Sequence, residues 1–244
     1  MATNWDCYRC RFRIYNSKKM STTNIKISEI QKHAKIVGFT YLTTTLIGFI
    51  NIFFVKIGLH KPETLLELDF RFRVSILLDI TMYALVMWMA VALYLLTKSI
   101  NKNRAILGFV FRSAEVVMGF VMVLLYATPL IILNRAESYQ FNDNTLHSLA
   151  SVFFDVYGMG SNLHLILMSI GAFVFIKLLQ SASYIPKWLS YWGLFTYVTV
   201  FIGFTLQIIL PEISNQLMVV MAPGALFELV FGVWLLIKGV DLKK

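Results

Sequence analysis

Two glutamates and one arginine lie inside apolar stretches of the sequence, where formal charges are costly. Arg112 and Glu115 belong to "GFVFRSAEVVMGF", residues 108–120, and Glu228 belongs to "APGALFELVFGVWLLIKG", residues 222–239. Three positions separate Arg112 from Glu115, so the two side chains share one face of a helix. Arginine remains charged and needs a carboxylate, either Glu115 or, across helices, Glu228. One glutamate is then in surplus and is suited to binding a proton or a cationic ligand.

Three other polar residues are predicted to lie towards the outer ends of apolar segments: Asn51, Asp79 and His164. Asp79 has two nearby candidates for an ion pair, Arg71 and Arg73. A single histidine at depth is more typical of a hydrogen-bonded packing residue than of a metal ligand, because metal sites need three or four ligands. We interpret Asn51, Asp79 and His164 as a polar outer mouth above the Arg112, Glu115 and Glu228 cluster.

The sequence lacks the motifs of several well-known catalytic and cofactor-binding sites. The sequence has no P-loop, no H-E-x-x-H and no G-x-S-x-G, and His164 is the single histidine at depth, which disfavours bundle haem. Cys7 and Cys10 have C-x-x-C spacing, but no further ligands or redox-type context accompany them. The sequence therefore predicts no catalytic residue, metal site or cofactor.

The amino-acid composition indicates whether this chain folds in water or in a membrane. Of 244 residues, 58% are hydrophobic and 14% are charged, and the mean hydropathy is +0.69, which is typical of a membrane protein. The net charge of +9 does not indicate nucleic-acid binding, because lysine and arginine fall between the apolar segments. The predicted partners are the lipid bilayer and a small hydrophobic or cationic ligand, whereas the oligomeric state is left open.

The hydrophobic pattern predicts an all-α polytopic protein with six transmembrane helices in one bundle. Each segment reaches roughly the 20 residues that a bilayer core requires. The apolar stretch 146–157 is predicted to be an interfacial helix, or an extra turn leading into the fourth span. The predicted spans are 36–58, 74–97, 105–133, 160–180, 188–210 and 216–238.

Basic residues gather in the N-terminal segment, in the second and fourth connections and at the C-terminus, which by the positive-inside rule predicts that both termini are cytoplasmic. The expected organisation is a basic N-terminal segment 1–35, a membrane domain 36–238 and a short tail 239–244. The stretch beginning at Met20 also reads as a complete N-terminus, so residues 1–19 are either an extension after Met1 or a misassigned start.

Small and polar residues share faces on several predicted spans, as expected where membrane helices meet. Glu115 and Glu228 each lie about ten residues from a span end, at a depth of about 15 Å. The stripes are Gly108, Arg112, Glu115, Gly119 and Tyr126; Gly224, Glu228 and Gly232; Thr196, Thr199, Gly203 and Gln207; and Tyr41, Thr44, Gly48 and Asn51.

Three motifs resemble a family of bacterial membrane proteins grouped as domain of unknown function 4386. They are "FRSAE" at 111–115, "SASYIPKWL" at 181–189 and "APGALFELVFGVWLLIKG" at 222–239. The chain departs from the family pattern in having Ala182 or Ser183 in place of a glycine, and Lys187 in place of arginine. The resemblance covers nearly the whole chain from about Met20. It implies a membrane fold and names no substrate; its pattern positions are Arg112, Glu115, Pro186, Lys187, Pro223, Glu228 and Trp234.

We expect a multi-pass protein of the bacterial inner membrane that binds or transports a small amphipathic or cationic molecule through the Arg/Glu cluster. One alternative is an intramembrane enzyme in which Glu115 or Glu228 acts as acid or base near His164, brought together by a helix kink at Pro129 or Pro223. A second alternative is a structural or partner-binding protein whose charged core only stabilises the fold.

Overall fold

A computed structural model describes the backbone of residues 4–135, 142–210 and 221–242, and side chains from Ile27 and, in the last helix, from Pro223. The described residues form helices and short connections, with no strand. Cys7 and Cys10 therefore lie outside the described side chains. The elements are α1 Asn4–Ile50, a π-helical turn Asn51–Val55, α2 Pro62–Leu65, α3 Asp69–Thr97, α4 Lys102–Asn134, α5 Asp143–Ser181, α6 Lys187–Ile209 and α7 Met221–Ile237.

The helices are apolar enough to cross a membrane, which confirms a helical multi-span fold. Five described segments have both the length and the hydropathy of a span: Ile27–Val55, α3, α4, α5 and α6. The sixth, α7, is apolar but shorter, with 17 residues. Residues 216–220 of its predicted span lie outside the described part of the chain.

Helix α5 decides between the two predictions for residues 146–157. It runs from Asp143 to Ser181 without a break, so this stretch forms additional turns of the fourth span and not a separate interfacial helix. Asn142 caps the helix by accepting a hydrogen bond from the Thr145 backbone N–H at 2.8 Å. The glycines at 158 and 160 did not end the helix, because helix packing outweighs their weak propensity.

The six long helices form a closed ring in chain order. Helix α1 packs on α3, α3 on α4, α4 on α5, α5 on α6, α6 on α7, and α7 returns to α1. Such a ring gives every helix two neighbours and one face towards the common interior. The polar stripe of α4 faces this interior, because Gly108, Arg112, Glu115, Gly119 and Tyr126 are all buried.

The ring closes at the end that carries most of the basic residues. The Gln31 side chain of α1 donates to the Val240 carbonyl at 2.6 Å and accepts from the Val240 N–H at 3.1 Å. The Asp241 N–H donates to the Tyr184 carbonyl at 2.9 Å, which joins the end of α7 to the α5–α6 turn. The start of the first span and the end of the last therefore lie together at one end of the bundle.

The α5–α6 turn is shaped by a left-handed residue. Ser183 has φ of 55°, and its N–H donates to the Gln180 carbonyl while that of Tyr184 donates to the Leu179 carbonyl, each at 3.0 Å. This pair of bonds is a Schellman cap, whose left-handed position ordinarily favours glycine. Ser183 is one of the two residues, with Ala182, that could stand in place of the single glycine of the family pattern.

Candidate functional site

Arg112 and Glu115 form a buried ion pair one helical turn apart on α4. Arg112 Nη1 lies 2.8 Å from Glu115 Oε2, and the side chains are 3% and 2% exposed. The sequence predicted this pair from the three-residue spacing. Burial at this level removes most hydration, so the pair depends on its protein surroundings for compensation.

A glycine on the facing helix lets α5 approach Arg112 closely. A Cβ placed on Gly171 would lie 2.9 Å from Arg112 Cγ and 3.1 Å from the Arg112 backbone nitrogen. A contact with backbone cannot relax as a flexible side-chain end can. Arg112 thus leaves no room for a side chain at position 171, so glycine is required there. The sequence analysis did not identify Gly171.

His164 joins Glu115. His164 Nε2 lies 3.8 Å from Glu115 Oε1, and the Tyr83 ring meets the imidazole edge to face with centroids 5.3 Å apart. We predicted His164 towards the outer mouth, with Asn51 and Asp79; its described contacts are with Glu115 of α4 and with Tyr83, one helical turn beyond Asp79 on α3.

Glu228 approaches the same interior from α7. It accepts hydrogen bonds from Thr45 Oγ1 at 3.0 Å and from the Tyr197 hydroxyl at 3.5 Å. The Tyr197 hydroxyl also lies 3.3 Å from that of Tyr41. Among the described residues Glu228 makes no ion pair, so Arg112 interacts with it electrostatically without contact. The expected cross-helix ion pair between Arg112 and Glu228 is absent from the described residues, and hydroxyl groups take its place.

These groups constitute what we term the inner cluster, to which all six ring helices contribute. Two of its buried polar atoms, Arg112 Nε and His164 Nε2, have no hydrogen-bond partner in the described part of the chain, and Glu115 Oε2 has the Arg112 ion pair alone. Unsatisfied buried atoms of both donor and acceptor type are costly unless something else satisfies them. The inner cluster consists of Arg112, Glu115, His164 and Glu228 with Tyr41, Thr45, Tyr83 and Tyr197.

Asn51 and Asp79 form a second group, the outer cluster, around a lysine that the sequence analysis did not select. Asn51 Nδ2 donates to Asp79 Oδ1 at 2.7 Å and to the Ser75 carbonyl at 3.1 Å. Lys56 Nζ lies 2.7 Å from Asp79 Oδ2, with both side chains 10% exposed. Lys56 is thus the partner of Asp79.

The predicted pairing of Asp79 with Arg71 or Arg73 was wrong. Arg71 donates to the carbonyls of Val55 and Ile57 at 2.9 and 2.8 Å, where the π-helical turn ends. Arg73 pairs instead with Asp69, one turn away on the exposed face of α3. Both arginines lie nearer than Lys56 to Asp79 in sequence, but neither is directed towards it.

Aromatic residues complete the outer cluster. The Lys56 ammonium donates to the Tyr157 hydroxyl at 3.0 Å and lies 4.6 Å from the centroid of the Tyr126 ring, within cation–π range. The His60 ring contacts Tyr126 and Tyr157 with centroids 5.8 and 6.3 Å apart. Lys56 therefore has a carboxylate, a hydroxyl and a π face as partners.

The fold and the two clusters define a polytopic helical membrane protein with an ionisable centre inside its bundle. The sequence matches a family described as Domain of unknown function (DUF4386) over residues 36–239. Since this is most of the chain, the protein belongs to that family. Comparisons with curated proteins and with solved structures gave no match.

Proposed function

We propose that the protein binds a small amphipathic or cationic molecule in the inner cluster, as a binding or transport-like membrane module. The observation that carries the proposal is a pair of buried polar atoms, Arg112 Nε and His164 Nε2, that have no hydrogen-bond partner in the described part of the chain, beside the carboxylate of Glu228. A ligand acceptor would satisfy Arg112 Nε on α4, and a ligand donor or acceptor would satisfy His164 Nε2 on the facing helix α5, according to its tautomer. Intramembrane ionisable residues mark ligand or ion pathways more often than not.

The charge balance favours a cationic ligand. With Arg112 paired to Glu115, Glu228 is the remaining carboxylate, and its described partners are the hydroxyl groups of Thr45 and Tyr197. Hydroxyl donors reduce the cost of burying a carboxylate but do not neutralise it. An ammonium or a proton would do so, and the rings of Tyr41 and Tyr197 provide an apolar wall for an attached hydrocarbon group.

The geometry gives less support to the enzyme alternative. Acid–base catalysis by a glutamate and His164 requires a contact of about 3.2 Å or less, or one bridging water. The separation of His164 from Glu115 is 3.8 Å, and Glu228 pairs with residues of α1 and α6 instead. The enzyme alternative also invoked Pro129, which lies within α4 and does not end it, since the helix continues for five more residues to Asn134.

Native mass spectrometry of the full chain released from mild detergent tests the proposal. Wild type is compared with Glu228→Gln and Glu115→Gln, and with the matched control Asp155→Asn, an exposed carboxylate on α5. We expect an adduct on wild type and on the control that is lost from both glutamine variants. The same samples are titrated with hexylammonium and with neutral hexanol, and only hexylammonium should raise the melting temperature of wild type and control.

Two results would contradict the proposal. One is wild type that carries no adduct and shows no melting shift with hexylammonium. The other is Glu228→Gln with an unchanged adduct and an unchanged shift, which would place any ligand outside the inner cluster. A folded Glu228→Gln variant is required for the comparison, and its melting curve provides that check.

We further propose that the protein resides in a bacterial plasma membrane, with both termini cytoplasmic and residues 36–238 as its membrane domain. The basic residues at the closing end of the ring support this orientation, including Lys98, Lys102 and Lys238. Fusion of a periplasm-dependent phosphatase to the C-terminus should give no activity, whereas a cytoplasm-dependent fluorescent protein should fluoresce. The reverse pattern would overturn the orientation.

A further inference from the structure

A cleft of about 650 Å³ lies on the outside of the bundle, at the end where Gln31 joins α1 to the last helix. Along α1, residues 28, 32, 35 and 39 are all exposed and recur at helical spacing, so they form one outward stripe. This stripe runs from polar to apolar over about 16 Å. The cleft is lined by Ser28, Gln31, Lys32, Lys35, Ile36, Phe39, Trp88 and Leu236.

The polar half of the cleft carries the positive charge of two lysines. Lys32 and Lys35 are exposed and make no ion pair within the described part of the chain. Lys98, at the end of α3, and Lys238, after α7, are exposed at the same end of the bundle. The Gln31 side chain is held by Val240, so the wall between the two lysines and α7 is fixed.

The other half of the cleft is apolar and faces outwards. Phe39 is 48% and Trp88 46% exposed, and their rings meet edge to face with centroids 6.4 Å apart. On a membrane protein such a surface is in contact with acyl chains, and tryptophan is enriched near the headgroup level. Phe39 lies about 6 Å deeper along α1 than Lys35, as an acyl chain lies below its phosphate.

We propose that this cleft, which we name the lysine cleft, binds an anionic phospholipid of the surrounding leaflet. Its phosphate would contact Lys32 and Lys35, and one acyl chain would lie along Ile36, Phe39 and Trp88. Charge complementarity selects the headgroup, because basic residues next to a membrane attract anionic lipids. The exposed aromatic floor makes a lipid, and not free phosphate, the occupant that fits the whole length of the cleft.

The test uses native mass spectrometry of the full-length protein with phosphatidylglycerol, phosphatidylcholine or inorganic phosphate added. Wild type should retain phosphatidylglycerol over phosphatidylcholine. The double variant Lys32→Gln/Lys35→Gln should lose about tenfold of that preference, since each basic residue near the surface contributes several-fold. The matched control Lys102→Gln/Lys187→Gln removes two exposed charges from the same end and should change the preference by less than about twofold.

A second variant tests the apolar half. Phe39→Ala/Trp88→Ala should weaken retention of phosphatidylglycerol without affecting inorganic phosphate. Equal retention by wild type and Lys32→Gln/Lys35→Gln would overturn the proposal, and so would an equal loss in the Lys102→Gln/Lys187→Gln control, which would indicate diffuse attraction. Inorganic phosphate bound as well as the lipid would refute the lipid as occupant.

Discussion

The inner and outer clusters have similar components but differ in how completely their polar atoms are paired. In the outer cluster both Asp79 oxygens are bonded, and the Lys56 ammonium has a carboxylate, a hydroxyl and an aromatic ring around it. In the inner cluster Arg112 Nε and His164 Nε2 have no hydrogen-bond partner in the described part of the chain, and Glu228 has no ion pair there; in the outer cluster the amide oxygen of Asn51 is the unsatisfied atom, and both charged groups are paired. A paired charge contributes to the fold, whereas an ionisable group with a free position is available to a ligand.

This difference indicates which intramembrane charges stabilise the fold and which could bind a ligand. The outer cluster has the features of a structural ion pair, since it joins the end of the π-helical turn to α3 and α5 through Lys56. The inner cluster is the binding site that we propose. Substitutions should therefore reduce mainly stability at Asp79 and mainly ligand binding at Glu228.

The largest effect is expected at Asp79. Asp79→Ala leaves the mostly buried Lys56 without its carboxylate, and should lower the free energy of unfolding by about 3–5 kcal/mol. Asp69→Ala is the control on the same helix, because it breaks an exposed pair with Arg73 and should cost less than about 1 kcal/mol. Unfolding in mixed micelles followed by circular dichroism measures both. Similar losses at the two positions would show that the outer cluster is not structural.

Arg112 provides the corresponding test of the inner cluster. Arg112→Met should cost about 3 kcal/mol, because Glu115 is left as an uncompensated buried charge. The double variant Arg112→Met/Glu115→Leu should cost less than the single one, since it removes both charges. Stability is measured in the same micelles. A double variant at least as unstable as Arg112→Met would mean that Glu115 stabilises the fold through partners other than Arg112.

A smaller loss is expected where α5 meets Arg112. Gly171→Ala places a methyl group against the Arg112 backbone and should cost about 1–3 kcal/mol. Gly158→Ala is the matched control on α5, because its Cβ would meet open space. That control should be neutral or gain up to about 1 kcal/mol from better helix propensity. Equal melting temperatures for the two variants would refute the close packing of α5 on Arg112.

The smallest expected effect lies in the α5–α6 turn. Ser183→Gly should raise stability by about 1 kcal/mol, because glycine adopts φ of 55° without the Cβ penalty of serine. The neighbouring residue Ala182 has a right-handed φ of −90°, which alanine adopts without strain. Ala182→Gly should therefore lower the free energy of unfolding by several tenths of a kcal/mol, because glycine loses more conformational entropy on folding. Thermal unfolding compares the melting temperatures of the two variants with that of wild type. A Ser183→Gly protein that is less stable than wild type would contradict the left-handed cap at this position.

Much of the inner cluster was predictable from local sequence. The spacing of Arg112 and Glu115 predicted their pair, and the small-residue stripe of α4 predicted its buried face. The stripe of α6 was predicted less well, because Thr199 is only half-buried and donates to its own helix at Phe195. Side-chain periodicity identifies a buried face but not which hydroxyl is used within its own helix.

The partner of Asp79 was not predictable in this way. In a regular α-helix, Lys56 would lie roughly 140° around the axis from Asn51, on a different face. The π-helical turn Asn51–Val55, closed by the Lys56 N–H donating to the Asn51 carbonyl at 2.7 Å, brings residues five apart onto one side. A π-turn has no strong sequence signal, so Lys56 was not selected.

Hydropathy, charge placement and helical spacing in the sequence were sufficient to establish a multi-span helical bundle and the Arg112–Glu115 pair, because each depends on residues near in the chain. The other contacts of the two clusters depend on how the six helices pack in the ring. This packing placed His164 beside Glu115, paired Glu228 with hydroxyls from α1 and α6, and paired Lys56 with Asp79. These contacts join residues 23 to 183 positions apart, and their depth and rotation depend on helix packing that no local pattern encodes.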